Sequence, residues 1–141
     1  MKTNAAKNVL VIGADRMSSI TDYTDRSNAI LWGDGAGAVI LSASKNPGIL
    51  STHIHSDGNL EELLYCGGGP STTQTAGYIT MSGKEVFRHA VTNLASVVSE
   101  ALSENNLKDT DIDWLVPHQA NKRIIDSTVK KLNMPKDKVV L

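Results

Sequence analysis

Cysteine is almost absent from the chain, and its scarcity limits the covalent chemistry available. Cys66 is the only cysteine among 141 residues, so no disulfide can form within the chain. A single thiol suits a reducing compartment. We therefore expect a packed core rather than covalent cross-links to hold the fold, and 40% hydrophobic residues are enough for one.

Long apolar runs and net charge are also lacking. The first apolar run, residues 9–12, is far shorter than the roughly 18 residues of a membrane span, and no later run approaches that length. The 14 Lys and Arg and 15 Asp and Glu give a net charge of −1, so no overall field would attract nucleic acid or an anionic membrane. There is no internal repeat. These absences predict a soluble intracellular protein without a nucleic-acid or membrane partner.

Short apolar segments predict several strands. Residues 9–12, closed by Gly13, are typical of a buried parallel strand, and residues 29–42 predict extended structure around a glycine cluster. Residues 49–55 predict another strand, and shorter strands are expected at 114–116 and 139–141. Strands that alternate with helices predict an α/β layer with a largely parallel sheet.

Two helices are predicted between these strands. Ser82 and Glu85 have the spacing of a capping box, and apolar residues follow at helical spacing as far as Asn105 and Asn106. A second helix is expected from about Asn121. Residues 57–77 are polar and rich in glycine, which predicts a long surface or interface loop.

His118 has the most informative position in the sequence. It follows the apolar residues 114–116 and precedes the second predicted helix, and ligands of open α/β sheets bind at such strand ends. The helix N-terminus disfavours a positive imidazole, which leaves a neutral ring able to donate an N–H to a developing oxyanion. A structural histidine bonded to a loop carbonyl is the alternative at this point.

The motif around His118 resembles a known enzyme family. Val-Pro-His-Gln-Ala-Asn at 116–121 is similar to the histidine motif of β-ketoacyl-acyl-carrier-protein synthase III, a thiolase-like condensing enzyme family. Four further segments resemble the family in order, namely 11–15, 24–26, 32–38 and 81–87. The resemblance implies an incomplete thiolase-like α-β-α layered fold of the α/β class. Residues 1–46 would end its N-terminal half, and 47–141 would begin its C-terminal half.

The resemblance also implies an activity. Members are acyltransferases that initiate fatty acid synthesis in the cytoplasm, as homodimers, by condensing an acyl-CoA primer with malonyl-acyl-carrier-protein. A cysteine takes up the primer, and decarboxylation then produces an enolate that attacks the thioester. A histidine and an asparagine donate hydrogen bonds to the negative oxygen, and His118 matches that histidine. No metal and no dissociable cofactor is implied.

Two of the family's three catalytic residues have no match in this chain. The nucleophilic cysteine is expected before a segment like residues 9–15, where none occurs, and Cys66 matches no nucleophile motif. The asparagine is expected just beyond Leu141, and neither Asn121 nor Asn133 replaces it by position. We therefore expect a fragment that is inactive by itself.

The family's binding residues transfer to two further groups of positions. Contacts with CoA are expected at Arg26, Gly83 and Phe87, where the alternatives are a surface ion pair for the arginine and a core position for the phenylalanine. Contacts with an acidic carrier protein are expected along the second helix start and a basic rim, namely Gln119, Ala120, Asn121, Lys122 and Arg123 with Lys84 and Arg88. Ordinary solvated charge is the alternative for the rim.

Three rival hypotheses come from other residues. His53, His55 and Asp57 resemble the ligand set of a metal-dependent hydrolase, although catalytic zinc needs three well-supported ligands. The glycines at 33–37 suggest a nucleotide loop, but the apolar residues after them predict a strand instead of the required helix. The third alternative is a non-catalytic module that only binds carrier protein.

Overall fold

The first strand, β1 (Asn8–Asp15), pairs with β2 (Gly35–Ser42) in a computed structural model that describes residues 5–141. The register is antiparallel and runs from Asn8 opposite Ser42 to Asp15 opposite Gly35. The prediction of a parallel strand is wrong here. Parallel neighbours need a crossover connection, usually a helix, whereas residues 16–34 contain turns and the three-residue 3-10 helix Met17–Ser19.

The side chains of β1 and β2 are exposed, so the prediction of a buried strand is also wrong. Leu10 and Ile12 are 60% and 63% exposed, and Val39 and Ile40 on the facing strand are 59% and 69% exposed. Successive residues of a strand point to opposite faces. This pair, the β1–β2 ribbon, therefore has exposed apolar side chains on both of its faces.

The segment predicted as a long loop is largely ordered. It contains the 3-10 helix Gly58–Leu63, β3 (Leu64–Gly69) and β4 (Thr75–Met81), and the two strands pair with each other as a hairpin. The turn depends on positive φ angles, 79° at Gly68 and 121° at Gly69, which glycine adopts readily. A Cβ on Gly77 would overlap the carbonyl of Gly67, so the hairpin requires glycine there too.

The first predicted helix is confirmed as α1 (Gly83–Glu104). Its predicted capping box is wrong, because the Ser82 side chain makes no capping hydrogen bond. The Glu85 carboxylate instead accepts a hydrogen bond from Arg88 at 2.8 Å, one turn along the same helix. Asn106, at φ 54°, follows the end of α1 in the left-handed conformation common after helices.

The second predicted helix is confirmed as α2 (Lys122–Lys131), which packs against α1. Ile125 and Val129 of α2 and Ala95 of α1 are buried and form the core between the helices. The short strands expected at 114–116 and 139–141 are reduced to one parallel bridge, between Leu115 and Val139. No strand forms at 49–55, which has no ladder partner in the described chain.

The described residues group into two units, which are treated separately below. One comprises the chain up to Gly48 with Tyr65–Thr80, and the other comprises Ile49–Leu64 with Met81–Leu141. The predicted division into thiolase-like halves at 1–46 and 47–141 stays a prediction, and its first four residues lie outside the described range. Within residues 5–141, neither long helix is apolar enough over a sufficient length to cross a membrane.

Candidate functional site

His118 lies in a turn between the parallel bridge and α2. The Leu115 N–H donates to the Lys138 carbonyl at 2.8 Å, and the Val140 N–H donates to the Leu115 carbonyl at 3.0 Å. His118 follows three residues later, is exposed, and precedes α2 by a few residues. The strand-end location inferred from the sequence is therefore the one observed, while the chemical role of the ring stays a prediction.

Two neighbouring side chains brace the turn that carries His118. The Gln119 side-chain amide donates to the carbonyls of Pro117 and Val140, both at 3.0 Å. The Asn121 side chain accepts from the Arg123 N–H at 2.9 Å and caps α2. Both residues were predicted to contact a carrier protein. In the structure their side chains hold the histidine turn, a use that the family motif did not indicate.

Phe87 and Arg123 come together at the α1–α2 contact. The Arg123 guanidinium lies 5.6 Å from the centre of the Phe87 ring, within the range of a cation–π interaction. Phe87 was predicted as a CoA contact and Arg123 as a carrier-protein contact. The structure joins two residues that the sequence assigned to different ligands, and Gly83 begins the same helix one turn before Phe87.

Ion pairs within single helices engage two of the predicted rim cations. Arg88 pairs with Glu85, and Lys122 pairs with Asp126 at 2.7 Å across one turn of α2. The hydrogen bond and charge of Lys122 hold the pKa of Asp126 below its ordinary value. Lys84 and Ala120 are exposed, and Lys84 has no ion pair among residues 5–141. The rim charge is thus partly balanced by acidic residues nearby.

Arg26 belongs to the other unit and lies in a hydrogen-bonded turn. The Asp25 carboxylate accepts from the backbone N–H of Ser27 at 2.9 Å and from the Asn28 side chain at 2.9 Å. Hydrogen bonds from Ser27 are the main cause of the lowered pKa of Asp25. Arg26 is exposed and forms no ion pair in the described part of the chain. The surface ion pair that was the alternative role for Arg26 is therefore not observed.

The glycine segment at 33–37 leads directly into β2, which confirms the predicted strand after the glycines. The Asp34 carboxylate accepts from the backbone and hydroxyl of Ser18 at 2.7 and 2.6 Å, and these bonds lower the pKa of Asp34. The open groove beside the glycines is lined by Asp15 and Asp34. Two carboxylates and no following helix make a poor site for a pyrophosphate.

The proposed metal ligands do not assemble. His53 and His55 both contact Glu100, whereas the Asp57 carboxylate accepts from the backbone and side chain of Asn59 at 3.0 and 2.8 Å. No three His, Cys, Asp or Glu residues are grouped to hold a metal ion in the part of the chain that the structure describes. The metal site of the hypothetical hydrolase thus lacks its third ligand. The sequence did not predict that His53 and His55 contact Glu100.

Comparison with known families and proteins gives one consistent result. The family described as 3-oxoacyl-(acyl-carrier-protein) synthase III matches residues 1–58, and its C-terminal part matches residues 102–141. Beta-ketoacyl-(acyl-carrier-protein) synthase III of Paramagnetospirillum magneticum is 58% identical over 147 residues, and that of Rhodospirillum centenum is 57% identical over 146. Each alignment covers 100% of this chain and 45% of the relative, so the chain spans less than half the length of these relatives.

Solved structures give the same result for the fold. The crystal structure of 3-oxoacyl-(acyl-carrier-protein) synthase III from Aquifex aeolicus is 44% identical, with a TM-score of 0.88 over 98% of this chain and 43% of that one. The priming β-ketosynthase of the R1128 polyketide pathway is 37% identical, with a TM-score of 0.85 over 96% of this chain and 42% of that one. The predicted thiolase-like α/β fold, present in part, is confirmed.

Proposed function

The chain belongs to the 3-oxoacyl-(acyl-carrier-protein) synthase III family, and on that premise we propose that it supplies the histidine-bearing part of a decarboxylative condensing site. The reaction joins an acyl-CoA primer to malonyl-acyl-carrier-protein and begins fatty acid synthesis. We place the enzyme in the cytoplasm and propose that it acts as a homodimer. The observation that carries the proposal is the placement of His118, in a braced turn between a parallel bridge and a helix.

The proposed role of His118 is to donate a hydrogen bond to the enolate oxygen. Loss of CO2 from the malonyl group leaves negative charge on the thioester oxygen, and a donor already in position stabilises that charge without reorganisation. Both Gln119 bonds restrict the turn, and exposure of the ring leaves it accessible to a substrate. These features support the role because a donor in a mobile turn would lose much of its effect.

The nucleophilic step needs a group that these 141 residues do not provide. Cys66, the only cysteine, is exposed on β3, and its sulfur lies 3.3 Å from the Gly77 carbonyl. Nucleophilic cysteines lie at a helix N-terminus or beside a cation, whereas Cys66 lies on a strand and contacts two backbone carbonyls. We therefore propose that the 141 residues alone condense no substrate.

A chimera tests the proposed function directly. The aligned part of the P. magneticum synthase would be replaced by these 141 residues, and carrier-protein products formed from a panel of acyl-CoA primers would be measured. We expect condensation by the chimera and none by the 141-residue chain alone. The unmodified synthase is the positive control. A folded chimera that still acylates its cysteine but forms no condensed product from any primer would contradict the proposal.

Reversal of the charge at Arg123 tests the carrier-protein surface. Phe87 holds the Arg123 guanidinium at the α1–α2 contact, where an acidic partner would meet a fixed positive charge. In the chimera, Arg123→Glu is expected to raise the KM for malonyl-carrier protein about tenfold, with a much smaller change in kcat. Steady-state kinetics with varied carrier protein provide the measurement.

Lys131→Glu is the matched control for this substitution. Lys131 is exposed in the last turn of α2, and its reversal makes the same change in net charge. Equal effects of the two substitutions would show that overall charge, and not the position of Arg123, governs the affinity. The same pair tested for carrier-protein binding by the 141-residue chain would examine the alternative of a non-catalytic binding module.

A further inference from the structure

Five polar side chains join residues 51–55 to the C-terminal half of α1. His53 Nδ1 lies 3.0 Å from one oxygen of the Glu100 carboxylate, and His55 Nε2 lies 2.7 Å from the other. On the far side of the first ring, His53 Nε2 lies 2.8 Å from the Ser51 hydroxyl, to which the Asn105 side chain donates at 2.6 Å. One carboxylate thus holds two rings of the same segment, and we name the five residues the Glu100 clasp.

The hydrogen bonds of the Glu100 clasp determine which of its atoms carry protons. An ionised carboxylate only accepts hydrogen bonds, so His53 Nδ1 must carry the proton that meets Glu100. In the neutral ring His53 Nε2 then accepts, and Ser51 donates its hydroxyl proton to it while accepting from Asn105. The contacts therefore select the Nδ1–H tautomer of His53.

The order serine, histidine and glutamate resembles a hydrolytic triad, but the surrounding contacts favour a structural role. The Asn105 side-chain amide, which donates one proton to Ser51, uses its second proton on the Ala101 carbonyl at 2.7 Å. It is therefore not available to stabilise an oxyanion, which acyl transfer to a serine requires. The contacts instead hold residues 51–55 against α1.

We propose that the Glu100 clasp is an acid-sensitive strap, closed while the Glu100 carboxylate is ionised and open once that carboxylate is protonated. Each oxygen of the ionised carboxylate accepts from one ring. A protonated carboxyl group carries a hydrogen on one of its oxygens and has lost its charge, so it no longer offers two equivalent acceptors to the two rings. Other acidic groups on the elements that meet here are Glu104 of α1, one turn further along, and Asp57, Glu61 and Glu62 at the 3-10 helix Gly58–Leu63, which contacts α1.

The solvent exposure of Glu100 and the direction of its pKa both agree with a strap that opens in acid. The Glu100 side chain is 44% exposed, so protons reach it from solvent. Hydrogen bonds from His53 and then His55 hold the pKa of Glu100 below its ordinary value of 4.5. Because the folded pKa is the lower one, the contribution of the clasp is complete above about pH 4.5 and is lost as the pH falls through the lowered pKa.

Nuclear magnetic resonance of the 141-residue chain tests the strap at pH 7 and in acid. In the wild type at pH 7 we expect backbone order parameters of about 0.85 for residues 51–55 and the Nδ1–H tautomer of His53. Glu100→Gln at pH 7, like the wild type in acid, should lower the order parameters of 51–55 below about 0.6 while residues 84–98 of α1 stay rigid. Glu104→Gln is the matched control and should behave as the wild type.

Three results would overturn the proposal. The first is an equal effect of Glu100→Gln and Glu104→Gln on residues 51–55. The second is a His53 ring protonated at Nε2 rather than Nδ1 at pH 7. The third is mobility of residues 51–55 that is already high in the wild type, or that rises only together with that of α1, because either shows that no local strap exists.

Discussion

Replacement of His118 by alanine in the chimera is expected to slow malonyl decarboxylation about 10²- to 10³-fold, the usual effect of removing one hydrogen-bond donor to an oxyanion. Transfer of the primer from CoA to the cysteine should proceed at nearly the unmodified rate, because that step needs no enolate. Release of labelled CO2 measures the first reaction, and the mass of the acylated enzyme measures the second. The two readouts separate a lost catalytic donor from a general loss of structure.

His89→Gln is the control for this experiment. His89 lies in the N-terminal half of α1, is half-buried, and has no assigned role in the reaction. It should leave both rates within a few-fold of the unmodified chimera. If His118→Ala abolished cysteine acylation and left decarboxylation intact, the assignment of His118 as the oxyanion donor would be wrong.

Replacement of Gly77 by alanine is expected to destabilise the unit that contains the β3–β4 hairpin by more than about 2 kcal/mol, because the new Cβ would overlap the Gly67 carbonyl. The backbones of β3 and β4 would have to move apart at this point. The nearby Ile79, which is 8% exposed, would then lose packing contacts. Trp32 lies in this unit and Trp114 lies in the other. Urea titration followed by fluorescence, with one tryptophan replaced at a time, measures the free energy of unfolding of each unit.

Gly67→Ala provides the matched control in the same hairpin. No atom lies within 4 Å of a Cβ built on Gly67, and its φ angle is not positive, so the cost should stay below about 1 kcal/mol. Equal losses for the two substitutions would show that the close approach at Gly77 does not limit the stability of the hairpin.

The helices were predictable because the signals that form them are local. The apolar spacing in α1 and α2 and the Asn121 cap lie within a few residues of the structure that they determine. The same holds for the position of His118, which follows from an apolar segment, a proline and a helix start. The exception is Ser82, where spacing alone suggested a capping box although Glu85 pairs with Arg88 instead.

The strands were harder to predict because pairing depends on distant residues. An apolar run such as 9–12 is compatible with either strand direction and with burial or exposure, and the antiparallel partner begins 20 residues after β1 ends. The β3–β4 hairpin was missed because its glycines resemble those of a loop, although they allow the close approach of Gly77 to Gly67.

The contacts around the candidate site also join residues that are far apart in sequence. Phe87 and Arg123 are 36 positions apart, and Glu100 is 47 positions from His53, so no motif spacing connects either pair. Both histidines of the hypothetical metal site reach one carboxylate, but that carboxylate belongs to Glu100. The identity of their partner required the packing of the segment against α1.

The two hydrogen bonds of Gln119 have a consequence for substitutions made far from His118 in the sequence. They tie the Pro117 carbonyl, just before His118, to the Val140 carbonyl, which lies 21 positions beyond Gln119. A substitution that shifts the backbone near Val140 would therefore change the orientation of the His118 imidazole, although the substituted residue contacts no substrate. Screens of variants around His118 should for that reason include the segment around Val140 as well.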